Sequence, residues 1–257
     1  MKTAVKTESR TRYYFIDEIR GFSVINMVLY HAIWDLVSIF GIHIRWYDGK
    51  IGYIWQQCIC WLFIFISGFC FSFGKKKLKR GLTVFICGAA ISLVTLIAMP
   101  EEKIIFGVLT CLGSCSLISI PLEKWFNKVN AFLGLALSAI LFFIFRNINI
   151  GYFGFENLNI AKVPDWLYRN YFTCFLGFPQ AGFTSSDYFS LFPWLFLFFI
   201  GYFFCRALRE RNGLKVFAEK RIPFLGFLGR HSLEIYMVHQ PMIYAVLYSF
   251  FKLAGRV

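Results

Sequence analysis

Runs of about 20 mostly apolar residues recur along the chain, and that is the length a helix needs to cross a hydrocarbon core of about 30 Å. They fall near residues 20–40, 51–73, 81–98, 104–122, 131–145, 187–206 and 230–251. Backbone in lipid must satisfy its polar groups internally, so such runs fold as helices. Of the 257 residues, 58% are hydrophobic and only 16% charged, against roughly 25% charged in soluble domains. A soluble chain this apolar could not cover its surface. The predicted fold is an all-α integral membrane protein of about seven transmembrane helices, eight if residues 165–183 also cross.

Charge sets the expected orientation. The net charge is +13, but the basic residues cluster between apolar runs, which is a topology pattern rather than a nucleic-acid-binding stripe. Lys and Arg number five in residues 1–20, five in KKKLKR (75–80), two in 123–130 and six in 206–221, whereas the intervening loops hold two, one and three. The richer loops belong in the cytoplasm. The N-terminus is therefore expected inside, and 165–183, with Arg169 and Asn170, is read as an interfacial or re-entrant element. Residues 1–15 are expected to form a flexible cytoplasmic tail, and the first apolar run an uncleaved anchor. The whole of 1–257 is read as one membrane-embedded domain, without internal repeats. The eight cysteines lie mostly in apolar runs at no metal-ligand spacing and are expected to act as small buried hydrophobes.

The first span carries the residues that lipid tolerates least. At about 100° per residue, Arg20, Met27, His31, Asp35 and Ser38 share one stripe. With a rise of about 1.5 Å per residue, His31 lies roughly 14 Å beyond Phe22, near the middle of the bilayer. Ionisable groups at that depth mark function by default. His31 and Asp35 stand i,i+4, so a carboxylate can steady the imidazole while it takes a proton from an acceptor hydroxyl or amine. In the last span, LGRHSLEIYMVHQP, Ser232, Tyr236 and His239 share a face, and Arg230 and Glu234 are spaced to pair. Gln56, Gln57 and Trp61 line one half of the second span, where Ser67-Gly68 permits close helix approach. Asp187 and Tyr188 sit before SLFPW, positioned to meet a polar acceptor. Arg20 and KKKLKR could hold the phosphates of a cytoplasmic ligand. His43 lies in the loop after the first span.

Four motifs in order then acquire a joint meaning: D-E-I-R-G-F-x-V-x-N-M-V-L-Y-H-x-x-W-D-L, L-F-I-F-I-S-G, L-G-F-P-Q-A-G-F-x-S-S-D-Y-F-x-L-F-P-W and L-G-R-H-S-L-E-I-Y-M-V-H-Q-P. Over roughly residues 12–250 the chain resembles the bacterial heparan-α-glucosaminide N-acetyltransferase-like membrane proteins, within the wider transmembrane acyltransferases. The resemblance implies transfer of an acetyl group from cytoplasmic acetyl-CoA to an acceptor on the outer face, a sugar amine or hydroxyl. It implies a plasma-membrane location, no metal and no nucleic-acid partner, and it is compatible with a homodimer. Under it, His31 with Asp35 is the catalytic pair. Arg20, Arg230, Ser232, Tyr236 and His239 lie on the cofactor side, and Gln57, Asp187 and Tyr188 on the acceptor side. Lysosomal members carry asparagine at the position of His31 and act through a histidine near the register of His43, which makes His43 the second candidate for the base.

Two rival readings follow from the residues alone. A proton-coupled transporter could use the His31–Asp35 pair as a relay, although no repeated halves are visible. A haem protein could use His31 and His239 as axial ligands, without a repeated spacing to support it.

Overall fold

The computed structural model describes residues 13–218 and 222–255. Most of the expected N-terminal tail, and Lys220 and Arg221 of the basic loop, lie outside the described residues. Helix α1 spans Tyr14–Trp34 and passes directly into a π-helical turn, Asp35–Ile39, closed by the Phe40 N–H on the Asp35 carbonyl at 3.1 Å. There follow α2 (Lys50–Phe71), α3 (Lys77–Ala98), α4 (Val108–Phe126) and α5 (Ala131–Phe145). A two-stranded antiparallel hairpin comes next, β1 (Tyr152–Phe155) and β2 (Leu158–Lys162), then a short helix α6 (Tyr171–Leu176). The chain ends with α7 (Leu191–Glu210), α8 (Pro223–Arg230) and α9 (Ser232–Leu253).

The mostly helical expectation holds, and among the described residues five helical stretches are long and apolar enough to cross a membrane: Tyr14–Ile39, Lys50–Phe71, Lys77–Ala98, Ala131–Ile150 and Leu191–Glu210. Helices α4 and α9 stand where two further spans were expected, but their composition is less apolar. Helix α4 is rich in small and hydroxyl residues and buries Val108 to Cys115 within the protein, so it has little need of a lipophilic surface. The 165–183 segment holds only a 3₁₀ turn at Asp165–Leu167 and the six-residue α6, too short to span. The hairpin before it was not anticipated.

The chain divides into two compact units, one built from residues up to Ala32 together with those from Arg211 onward, the other from Ile33 to Glu210. In the first, α1 meets α8 through bare backbone. A Cβ on Gly229 would lie 1.8 Å from the Asp17 carbonyl oxygen, and one on Gly21 would lie 2.0 Å from that of Leu225. The buried Glu18 carboxylate accepts the Ile222 N–H at the head of α8, so its charge meets one of the backbone donors a helix start leaves unpaired. His231 interrupts the helix between α8 and α9. Arg230 and Glu234 are thereby separated, and the expected i,i+4 ion pair does not form.

In the second unit α7 is the central element, with Trp194 to Phe199 and Gly201 to Phe203 buried. It packs on both α2 and α5. The α2–α7 contact is again reciprocal: a Cβ on Gly68 would lie 1.9 Å from the Phe198 carbonyl oxygen, and one on Gly201 would lie 2.0 Å from that of Phe65. Helix ends absorb part of the basic charge. Lys77 at the start of α3 pairs with Glu123 near the end of α4, and Arg206 donates to the carbonyls of Phe126 and Val129, closing the end of α4. Of the KKKLKR run, Lys75, Lys76, Lys79 and Arg80 remain exposed.

Gly201→Val should push α2 and α7 apart and cost roughly 1–3 kcal/mol, as overpacking of a tight contact does. Ile97→Val, at a position 75% exposed, should stay within about 0.5 kcal/mol of the parent. Thermal unfolding of the two variants in detergent separates these outcomes.

Candidate active site

The polar residues singled out in the sequence gather at two places, one in each unit. The first lies where α1 meets α9. Along α1 the buried positions Gly21, Val24 and Met27 recur at helical spacing, and His31 continues that line one turn further. Its ring contacts Tyr30 edge-on, with centroids 6.0 Å apart, and the ring of His239 at 4.7 Å and 65°. His239 is 8% exposed and stacks obliquely against Tyr236, three residues earlier on α9, at 5.2 Å. Its Nδ1 lies 2.6 Å from the Tyr236 carbonyl oxygen. A carbonyl only accepts, so Nδ1 carries the hydrogen and, in the neutral ring, Nε2 carries the lone pair. Nε2 is buried and makes no hydrogen bond among the described residues.

Sequence reasoning placed Ser232, Tyr236 and His239 on one face, and all three do lie on α9. The haem reading brought His31 and His239 together as ligands to one iron; the structure instead puts their rings in direct contact. Arg20 and Arg230 flank the closest α1–α8 approach, since a Cβ on Gly229 would lie 3.0 Å from the Gly21 nitrogen. Arg20 is half-buried and Arg230 exposed. Asp35 is fully buried and opens the π-turn, a feature that concentrates at functional sites. Division of the chain into units falls between the two members of the expected pair, after Ala32. His43 is exposed in the loop beyond the π-turn, with no hydrogen bond or ring contact among the described residues.

The second place is centred on Arg146, which sequence reasoning missed because it reads as the polar end of an apolar run. Its Nη2 donates to Gln57 Oε1 at 2.9 Å and to the Tyr53 hydroxyl at 3.2 Å, and it pairs with Glu156 Oε1 at 3.1 Å. The guanidinium lies 5.3 Å from the centre of the Trp194 ring. Tyr53 donates to Glu156 Oε2 at 2.6 Å, and Trp61 Nε1 donates to Gln57 at 3.1 Å. Glu156 sits at the turn of the β-hairpin, so this network fastens the hairpin to α2 and α5. The only forewarning in the sequence was an arginine ending an apolar run with a glutamate ten residues on.

Asp187 and Tyr188 have structural partners. Asp187 Oδ2 accepts the Val108 N–H at 3.1 Å and so caps α4, while the Tyr188 hydroxyl donates to the Cys174 carbonyl. Burial first, and then the neighbouring Cys174, push the Tyr188 phenol well above its usual range. Tyr168, bonded through its hydroxyl to the Ile148 carbonyl at 2.6 Å, is pushed up to about 12 by burial and by Asp165. Both phenols therefore act as neutral donors at physiological pH. No group of three or more His, Cys, Asp or Glu suited to a metal occurs among the described residues, and all eight cysteines are free thiols.

Long apolar helices with paired imidazoles at the meeting of the first and last of them define a helical membrane protein with a buried, titratable site. The chain belongs to the family described as heparan-alpha-glucosaminide N-acetyltransferase, catalytic, whose model matches residues 12–241. The resemblance carried by the four motifs is thus borne out, and the family makes this a membrane acetyltransferase. No curated protein and no solved structure matched the chain.

Asp187→Ala removes the side-chain cap of α4 and should cost about 0.5–2 kcal/mol, the usual range for a lost N-cap acceptor. A fall in the unfolding midpoint of the solubilised protein checks this.

Proposed function

We propose that the protein transfers an acetyl group from cytoplasmic acetyl-CoA to an extracytoplasmic sugar amine or hydroxyl. The observation that carries this reading is the contact of His31 with His239 inside a chain whose family match covers nearly its full length. Heparan itself is not implied, since an acyl-transfer site says little about which acceptor reaches it.

His31 is the general base. A neutral imidazole has the lone pair needed to take a proton from an acceptor amine or hydroxyl. Its half-buried place beside a second imidazole supports it over the exposed His43; Asp35, the other member of the expected pair, is buried. Arg20 and Arg230 flank one end of the same unit as two guanidinium groups, the geometry-tolerant donors that recognise phosphate; with Ser232 and Tyr236 they hold the coenzyme. Gln57, Asp187 and Tyr188 are the residues we assign to the acceptor. Helices α4 and α9 complete seven spans with the N-terminus inside, an orientation supported by the alternation of Lys and Arg between loops. The plasma membrane is the location in which such an acceptor would be met.

His31→Asn should lower the rate of transfer from labelled acetyl-CoA by about 10²–10⁴-fold, the contribution typical of a general base. Coenzyme A at about 100 times its Kd should stabilise both parent and variant by about 2.7 kcal/mol, because it binds only the folded state. Wild-type turnover in a folded His31→Asn protein would refute the assignment. Stabilisation by coenzyme A is read from thermal unfolding on the same samples.

A further inference from the structure

We infer that His31 and His239 work as one proton-handling dyad, with His239 as the fixed half that passes the acceptor's proton to the leaving thiolate. The inference rests on the acetyltransferase reading above and adds a catalytic residue to it.

Three observations carry it. First, His239 is held: its Nδ1–H donates to the Tyr236 carbonyl at 2.6 Å, which sets both ring orientation and tautomer and leaves Nε2 with its lone pair. Second, that nitrogen is buried with no hydrogen-bond partner among the described residues, although nearly all buried polar atoms in folded proteins are bonded. Thr110, Arg146 and Trp194 also carry a buried atom of this kind; His239 is set apart by the second imidazole in contact with its ring. Third, His31 lies with its ring centre 4.7 Å away and makes ring contacts but no hydrogen bond among the described residues, so rotation about its side chain is unopposed by any bond. One imidazole is pinned by backbone and the other is free to turn between the acceptor and its partner.

The step balances as follows. The acceptor's N–H or O–H bond breaks as its nitrogen or oxygen bonds to the thioester carbonyl carbon, and the proton goes to His31. The C–S bond breaks and the sulfur leaves with the electron pair. His31 gives its proton to Nε2 of His239, and His239 delivers a proton from Nε2 to the thiolate, releasing the free thiol. Both rings end neutral. Two positive imidazolium ions side by side would repel, so the pair carries one proton at a time.

Asparagine at 239 places its amide N–H where Nδ1–H stood and keeps the bond to Tyr236, but offers no base at the Nε2 position. His239→Asn and His31→Asn should each lower kcat by about 10²–10⁴-fold, and the double variant should lose little more than the worse single one, because residues that act as a unit are not additive. Retained stabilisation by coenzyme A shows that His239→Asn is folded. A wild-type kcat in His239→Asn, or a double variant that loses the product of the two single effects, overturns the dyad. The second readout needs no acceptor. The chain has four histidines, so ¹⁵N spectra of histidine-labelled protein at neutral pH should show one ring protonated at Nδ1 and bare at Nε2, missing from His239→Asn. A ring 239 protonated at Nε2 instead would also overturn it. If the wild type moved no acetyl group to any of a panel of sugars while that tautomer was present, the functional reading would fall and the built-in orientation of His239 would stand.

Discussion

Within hydrocarbon no hydrophobic force draws helices together, because lipid tails are as apolar as leucine. Association must come from close packing and from polar groups that find partners inside the protein. This chain meets the first requirement with reciprocal glycines, Gly68 with Gly201 in one unit and Gly21 with Gly229 in the other, each letting a carbonyl approach where a methyl could not fit. It meets the second locally. Ser23, Ser114, Ser119 and Ser138 each donate to the carbonyl four residues back in their own helix, and Thr95 does so while also accepting the Ile104 N–H at 3.0 Å.

That economy separates structural from chemical polarity. Arg146 is bound by Gln57, Tyr53 and Glu156 and lies over Trp194, and Arg206 closes the end of α4. Lys77 joins α3 to α4 through Glu123. Removing one partner from such a group leaves an uncompensated charge, which is why these networks look like fastenings. The imidazole pair differs in kind. One ring has a fixed donor and an unused acceptor, and the other has no hydrogen bond at all among the described residues. Two imidazoles in contact, one with its tautomer set by backbone, are groups a proton transfer can use.

How much of this could be read from residues alone follows from the range of each signal. Apolar run lengths located α2 to α5 and α7 to within about four residues, since helix length is set by the bilayer itself, whereas α1 begins six residues before the expected span because its first turns carry Asp17, Glu18 and Arg20. Gly68 was legible as a close-approach point because a small pair in an apolar run has few other uses. The π-turn at Asp35 was not, because a single extra residue per turn leaves no compositional trace. The break at His231 was equally silent, and it undid the Arg230–Glu234 pairing that uniform helical spacing required. Arg146 and Glu156 meet only because the hairpin folds back on the end of α5, and a four-residue strand beside glycines resembles a loop in sequence. Asp187 and Tyr188 were visible as polar residues near an apolar run, but whether such groups serve the fold or a ligand depends on which backbone lies within reach.

The two histidines were paired in the sequence only as ligands of a haem, without a spacing to support it, and the reason their direct contact was not legible is topological. Hydrophobic periodicity reports the face a residue occupies on its own helix, never the helix it faces. His31 and His239 come from opposite ends of the chain and belong to the same compact unit, which the middle of the chain, a separate unit, does not interrupt. The first and last motifs therefore each contribute one histidine to a single ring contact. Ten residues before each histidine, Gly21 and Gly229 bring the backbones of α1 and α8 into contact. That packing fixes the segments from which the two rings project, and in the proposed dyad the motion is left to the side chain of His31, which makes no hydrogen bond among the described residues, while His239 is held by the Tyr236 carbonyl.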